Sequence, residues 1–294
     1  MGKPTPLSFL VPGFSKCGST TLCTLLASHP GIFIPGIKET NFLMRPDYDQ
    51  TWQKFDGMFS AANPNQILGD GSILYTSTNH EVEARTRIRK HYPNIKLIFI
   101  ARDPINRIES SFREFHNSGP RYGLDTPYEL MAAFKQLPGI IDDTLYWSRL
   151  NCYREAFPEH SIHLVFLEEL KRDSDKVMKA CFEFLGVDSS IPLPEPGTHD
   201  NPGSAKLRDT RLLRGMRNTP YFGQLLAKIP VRKQEAIFPL LGLRTPFKDT
   251  DIDWDKETVN WLLQQLGEEI DRYLNHAGRS SGLWHRFEQF KHSN

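Results

Sequence analysis

Two rhythms of apolar residues alternate along the first two thirds of the chain. Residues 7–11 form a short continuous apolar run that stops at Pro12 and Gly13, which predicts a buried strand entering a turn. A helix is predicted over 20–28, closed by His29, Pro30 and Gly31. Residues 96–101, KLIFIA, are again continuous and apolar, as in a strand covered on both faces, and they follow a predicted helix over 81–91. A third strand is predicted over 162–166, IHLVF, after a helix near 145–156. A helix over 174–185 comes next, with Val177, Cys181, Phe184 and Leu185 at helical spacing. Strands alternating with helices predict an α/β fold of three layers around a central parallel sheet of about five strands.

The pattern then changes. Residues 187–203 are rich in Pro and Gly and predict a long loop. From about 204 the chain reads as mainly helical, and 259–274 places Leu262, Leu263, Leu266, Ile270 and Leu274 on one face. With no internal repeat and no low-complexity segment, residues 1–294 read as a single domain with a mainly helical C-terminal part.

Charge and cysteine usage narrow the classes. The 36 Lys and Arg against 35 Asp and Glu give a net charge of +1, so a general nucleic-acid binder is not expected, although a local basic pocket remains compatible. The four cysteines form no C-x-x-C pair, and no His/Cys cluster has zinc spacing, so no metal is expected. A reducing compartment fits these thiols. The N-terminus lacks the basic start and apolar stretch of a signal peptide, and no apolar run approaches bilayer length. The expectation is a cytoplasmic protein without a membrane span.

The chemistry begins at residues 13–22, GFSKCGSTTL. A strand, a glycine turn and a helix start offer unpartnered amides and the positive end of a helix dipole to an anion. Gly18 allows close approach, and Ser19, Thr20 and Thr21 add hydroxyl donors. Gly13 and Gly18 have the spacing of the nucleotide-triphosphatase pattern G-x-x-x-x-G-K-[ST], yet Ser19 stands where its lysine belongs and Lys16 lies inside the loop. An ordinary strand-to-helix turn would also fit this stretch alone.

Three further segments bear on the reading. In FIARDPINRIESSF, residues 99–112, Arg102 directly follows a predicted strand, at the edge where parallel sheets bind ligands, and can fork onto a phosphate. Ser110 can add a hydroxyl. In GIKETNFL, residues 36–43, Glu39 is either a base or a surface glutamate. In HDNPGSAKLR, residues 199–208, a glycine loop carries Lys206 and Arg208, which either close over an anion or form a solvated helix start.

Together these segments resemble the sulfotransferases that use 3′-phosphoadenosine 5′-phosphosulfate (PAPS), across nearly the whole chain. GFSKCGSTTL is similar to the family's 5′-phosphosulfate loop, whose lysine sits at the place of Lys16. ARDPINRIESSF is similar to its 3′-phosphate motif, with arginine and serine at Arg102 and Ser110. YWSRLNCYREAFPEHSIHLVFLEEL with FEFLGV resembles the central strand and its flanking helices, and the GLW at 282–284 resembles the common ending. The heparan-modifying branch and its soluble bacterial relatives are the nearest in pattern.

The resemblance implies a P-loop, nucleotide-kinase-like topology and transfer of a sulfuryl group to a hydroxyl or amine of a small-molecule or carbohydrate acceptor. Lys16, Cys17, Gly18, Ser19, Thr20 and Thr21 would line the phosphosulfate. Lys16 would meet charge developing on the bridging oxygen. Arg102 and Ser110, with Lys206 and Arg208 closing over, would hold the 3′-phosphate. Glu39 would be the general base. One departure from the branch is Asp70-Gly71-Ser72, where Glu-Lys-Ser/Thr is usual: a second catalytic lysine has no counterpart at Gly71. The acceptor pocket is less legible. Tyr48, Trp52 and Phe55 either line it or form core, His116 is either a base or structural, and 111–128 is a candidate gate. The rival readings are a P-loop kinase or nucleoside-triphosphatase, which would require magnesium and prefer ATP, and a non-catalytic nucleotide-binding relative.

Overall fold

The computed structural model describes residues 5–194 and 206–292. In chain order the elements are β1 (Leu7–Gly13), α1 (Ser19–Ala27), β2 (Ile32–Phe33), α2 (Trp52–Gly57), β3 (Ile67–Asp70), α3 (Glu81–His91), β4 (Lys96–Ala101), α4 (Pro104–Ser118), α5 (Leu130–Gln136), α6 (Gly139–Asp142), α7 (Tyr146–Ala156), β5 (Ile162–Phe166), α8 (Leu167–Arg172), α9 (Ser174–Leu185), β6 (Leu207–Asp209), α10 (Arg211–Arg217), α11 (Pro220–Ala227), α12 (Val231–Leu240), β7 (Arg244–Pro246), α13 (Lys256–His276) and α14 (His285–His292). They form two compact units, one from residues up to 107, 141–198 and 262 onward, the other from 108–140 and 199–261.

The first unit holds a five-stranded sheet in the order β2-β3-β1-β4-β5, with every neighbouring pair parallel. Helices cover both of its sides, as the alternation of strands and helices predicts. β4 is buried from Leu97 to Ala101, which is why its sequence is a continuous apolar run rather than an alternation. The strands over 96–101 and 162–166 and the helices over 81–91 and 174–185 have the predicted bounds. The buried face of α9 is different. Met178, Cys181, Phe182 and Leu185 are buried, while Phe184 stacks on His163 at 5.1 Å. Both choices satisfy helical spacing, and packing selected the one that includes Met178.

β2 and β3 escape the hydrophobic pattern. β2 has only two residues, and β3 reads ILGD, with a buried carboxylate at its end. Tyr48, Trp52 and Phe55 lie in one aromatic cluster: Phe42 stacks on Phe55 at 4.3 Å and meets Trp52 at 4.8 Å. Leu262, Leu266, Ile270 and Leu274 of α13 are buried, and Tyr273 of the same helix stacks on Trp284 of the GLW ending at 5.9 Å.

The second unit carries a two-stranded antiparallel ribbon, β6-β7, that the helical pattern does not announce. Asp209 of β6 binds Arg217 at 2.7 Å and Arg244 at 3.0 Å, tying the ribbon to α10. Leu213, Leu226 and Phe238 give α10, α11 and α12 a small shared core. The expected loop over 187–203 lies outside the described residues from 195 on.

Candidate active site

β1 delivers the chain into a loop over 14–18 that ends at the first residue of α1. Two residues of the loop have left-handed backbone, Lys16 at φ 64° and Gly18 at φ 91°. Gly18 is required on two counts: its φ disfavours a side chain, and a Cβ there would lie 2.6 Å from Leu167 Cδ1. No side chain caps α1, so the amides of its first turn are left to an outside acceptor. The loop is braced from within the first unit. The buried Arg107 donates Nε to the Ser15 carbonyl at 3.2 Å and Nη1 to Thr144 Oγ1 at 2.8 Å. Arg102, directly after β4, donates Nη1 to the Lys16 carbonyl at 3.4 Å.

Cys17 is a packing residue. Its thiol is buried 3.3 Å from the Tyr146 hydroxyl, and burial pushes it up to about 11. Its amide is used inside the loop, donating to the Phe14 carbonyl at 3.3 Å.

Glu39 comes to the loop through its neighbour. Lys38 Nζ sits 2.9 Å from Glu39 Oε1, 3.1 Å from Ser19 Oγ and 3.4 Å from Thr20 Oγ1. Lys38 is the residue that sequence reasoning missed. The sequence marks only the glycine at 71; the structure shows its reason, since a Cβ at that position would lie 2.7 Å from Cys23 Sγ and 3.0 Å from Lys38 Cγ. The aliphatic stem of Lys38 crosses the space that a side chain at 71 would need, and its ammonium reaches the loop from another strand connection.

The segment behind Glu39 is fixed by a buried carboxylate. Asp70, at the end of β3, accepts from Thr40 Oγ1 at 2.9 Å, Ser72 Oγ at 2.8 Å and Tyr75 Oη at 3.0 Å. Burial raises Asp70 to about 6, while its three hydroxyl partners pull the other way. Asp70 is therefore a positioning residue for the 38–42 turn, since Thr40 adjoins Glu39. The next anchor is Asp103, which accepts from the amides of Ile105, Arg286 and Phe287 at 2.9, 2.9 and 3.2 Å. Glu168 accepts from the Asp103 amide at 3.0 Å and from Trp284 Nε1 at 3.1 Å, so the C-terminal tryptophan steadies the segment that carries Arg102.

In the second unit, Lys206 Nζ lies 3.4 Å from the Ser110 carbonyl and 2.8 Å from Glu114 Oε2, which places an ammonium beside Ser110. Arg208 is held by Asp251 at 2.7 Å and lies over the rings of Tyr128 and Phe247. The glycine loop expected before Lys206 lies outside the described residues. His116 is buried, bonds the Pro127 carbonyl through Nε2 at 3.1 Å and stacks on Tyr128. Burial pushes its pKa down to about 4, so it is neutral near pH 7 and its placement is that of a core histidine.

The strand, loop and helix start of the first unit leave the uncapped amides of α1 open at the end of β1 in an α/β protein. Residues 6–201 match the family model for the sulfotransferase domain, and the chain belongs to that family. Members of that family transfer sulfuryl groups, which they take from PAPS. Among curated relatives it is 28% identical over 204 residues to the bifunctional heparan sulfate N-deacetylase/N-sulfotransferase 3 of Homo sapiens, covering 61% of this chain. The mouse counterpart, from Mus musculus, is 26% identical over 218 residues, covering 66% of this chain. The match spans 22% and 24% of the length of those two relatives. Among solved structures, the sulfotransferase from Alicyclobacillus acidocaldarius superposes with a TM-score of 0.63 at 18% identity, over 96% of this chain and 99% of that one. The sulfotransferase domain from the curacin biosynthetic pathway gives 0.51 at 16% identity, over 90% and 98%. The two share the fold described above.

Proposed function

We propose that the protein moves the sulfuryl group of PAPS to a hydroxyl or amine of a small-molecule or carbohydrate acceptor, with Glu39 as base and Lys16 at the leaving phosphate. The observation that carries the reading is the shared ammonium of Lys38, which bonds the Glu39 carboxylate and two hydroxyls of the phosphate loop at once. A carboxylate held there stands next to the anion cradle, where an acceptor proton must be removed. The donor set suits the ligand. Open first-turn amides and the hydroxyls of Ser19, Thr20 and Thr21 fit a phosphosulfate, and Arg102 of the same unit is a group for a separate 3′-phosphate. Cys17 and Arg208 support the site through packing and an internal ion pair.

In the reaction, Glu39 accepts the acceptor's proton as its oxygen or nitrogen bonds to sulfur. The bond from sulfur to the bridging oxygen breaks, and Lys16 neutralises the charge left on the 5′-phosphate. Lys38 holds the Glu39 carboxylate in place through their ion pair, and supplies from position 38 the cation that Gly71 lacks. Most of the acceleration comes from positioning and fixed charge. The names of the heparan sulfate relatives favour a carbohydrate acceptor. The free thiols favour a cytoplasmic setting.

The test is calorimetric titration with 3′-phosphoadenosine 5′-phosphate, against ADP and ATP with and without magnesium. Tight, magnesium-independent binding of the 3′-phosphorylated nucleotide alone is expected. A preference for magnesium-ATP would replace this reading with a kinase.

A further inference from the structure

The second unit has a surface that the transfer reaction does not use. Among the described residues, every large apolar side chain that stands exposed, other than Ile37 and Val82, lies in this unit, and all of these but Tyr122 fall within 212–241. Tyr221, Phe222 and Leu225 project from α11, and Ile237, Leu240 and Leu241 from the end of α12 and just beyond it, with Tyr221 76% and Leu240 86% exposed. Their neighbours Leu226 and Phe238 are buried in the small core of the same helices. The exposed residues are therefore surplus to folding, and exposed apolar side chains this dense along two successive helices mark an interaction surface.

Charge selects the partner. Residues 211–241 carry six Lys or Arg and one Glu, in a chain whose overall net charge is +1. Arg214 and Arg217 are already paired with Asp125 and Asp209. Arg211, Lys228 and Lys233 are exposed and have no acidic partner among the described residues. A second copy on this face would bring like charges together across a two-fold axis. The exposed Tyr, Phe and Leu of α11, with Lys228 just beyond its end and Lys233 on α12, match the pattern that lies in the interface of an anionic bilayer.

We infer that helices α11 and α12 dock the enzyme onto an anionic lipid surface, the apolar side chains entering the headgroup boundary and the lysines meeting lipid phosphates. This goes beyond the transfer reaction and does not depend on it.

The full chain should be co-sedimented with phosphatidylcholine vesicles with and without phosphatidylglycerol, at low and high salt. Partition onto the anionic vesicles, weakened by salt, is expected. Reversing Lys228 or Lys233 to Glu should lower the partition coefficient roughly fivefold or more each. The double variant Leu225→Glu/Leu240→Glu should abolish it, while the thermal unfolding midpoint and nucleotide binding stay as in the parent. Four results would overturn the inference: no partition at all, equal partition onto neutral vesicles, indifference to these substitutions, or a dimer on sizing columns that Leu240→Glu dissolves.

Discussion

The phosphate loop of the first unit and the cavity of the second unit both gather arginines, but they hold them differently. Around the loop, Arg107 and Arg102 donate to the carbonyls of Ser15 and Lys16. In the second unit a cavity of about 370 Å³ is lined by Arg121, Arg214 and Arg217, each ion-paired with a carboxylate: Glu235, Asp125 and Asp209. A guanidinium bound to a neutral carbonyl keeps its charge available to an incoming anion, whereas one bound to a carboxylate has already spent it. Arg107 also lies 3.6 Å from Asp143, so around the loop it is Arg102 that meets this criterion, whereas all three arginines of the cavity are paired with carboxylates.

The strongest way to break that comparison is Glu39→Gln. It should lower turnover by roughly a hundred- to ten-thousandfold while nucleotide affinity in the calorimeter stays nearly unchanged. Full activity would remove Glu39 as the base. Lys16→Ala should lower turnover by roughly a hundred- to a thousandfold, the scale of losing one donor at a developing oxyanion. A loss confined to substrate KM would show that Lys16 only binds. Lys38→Met should cost roughly ten- to a hundredfold, as expected for a charge-assisted contact, and its nucleotide titration should show weaker binding because Ser19 and Thr20 lose their shared partner. An unchanged enzyme would return Lys38 to the surface.

The smallest effect sharpens the comparison through pH. Asp70 in the first unit is raised from 3.8 to about 6 by burial, so between those values the folded state holds more proton than the unfolded chain. The stability this contributes is complete at the acid end and is lost as pH rises through 6. His116 in the second unit is lowered from 6.5 to about 4 by burial. Its contribution is complete above 6.5 and is lost as pH falls toward 4. Over pH 4 to 6 the two groups oppose each other, each worth up to about 1.4 kcal/mol per pH unit. Urea unfolding across this range should rise more steeply with pH in Asp70→Asn and less steeply in His116→Gln. Equal slopes in all three proteins would mean that neither burial is maintained.

The sites that were legible in the sequence are those whose chemistry is local. Lys16, Gly18 and the hydroxyls of 19–21 are consecutive, so one strand-loop-helix suffices to bring them together. Arg102 follows an unmistakable buried strand. β3 was not legible because ILGD ends on a carboxylate, and a buried charge is recognisable only once Thr40, Ser72 and Tyr75 are seen around it. The role of Lys38 was hidden for a related reason: its partners lie on the loop at 19–20 and across Gly71, neither predictable from spacing.

The sequence alone determined the parallel α/β sheet, through runs of apolar residues whose length reports burial on both faces, and the tight loop between β1 and α1, through glycines at positions that demand a left-handed backbone or close approach. Only the tertiary structure decided which cation stands beside Glu39, which arginines are paired with carboxylates and which apolar side chains are left outside. Those outcomes depend on contacts between residues far apart in the chain, and on competition for partners that no local pattern records.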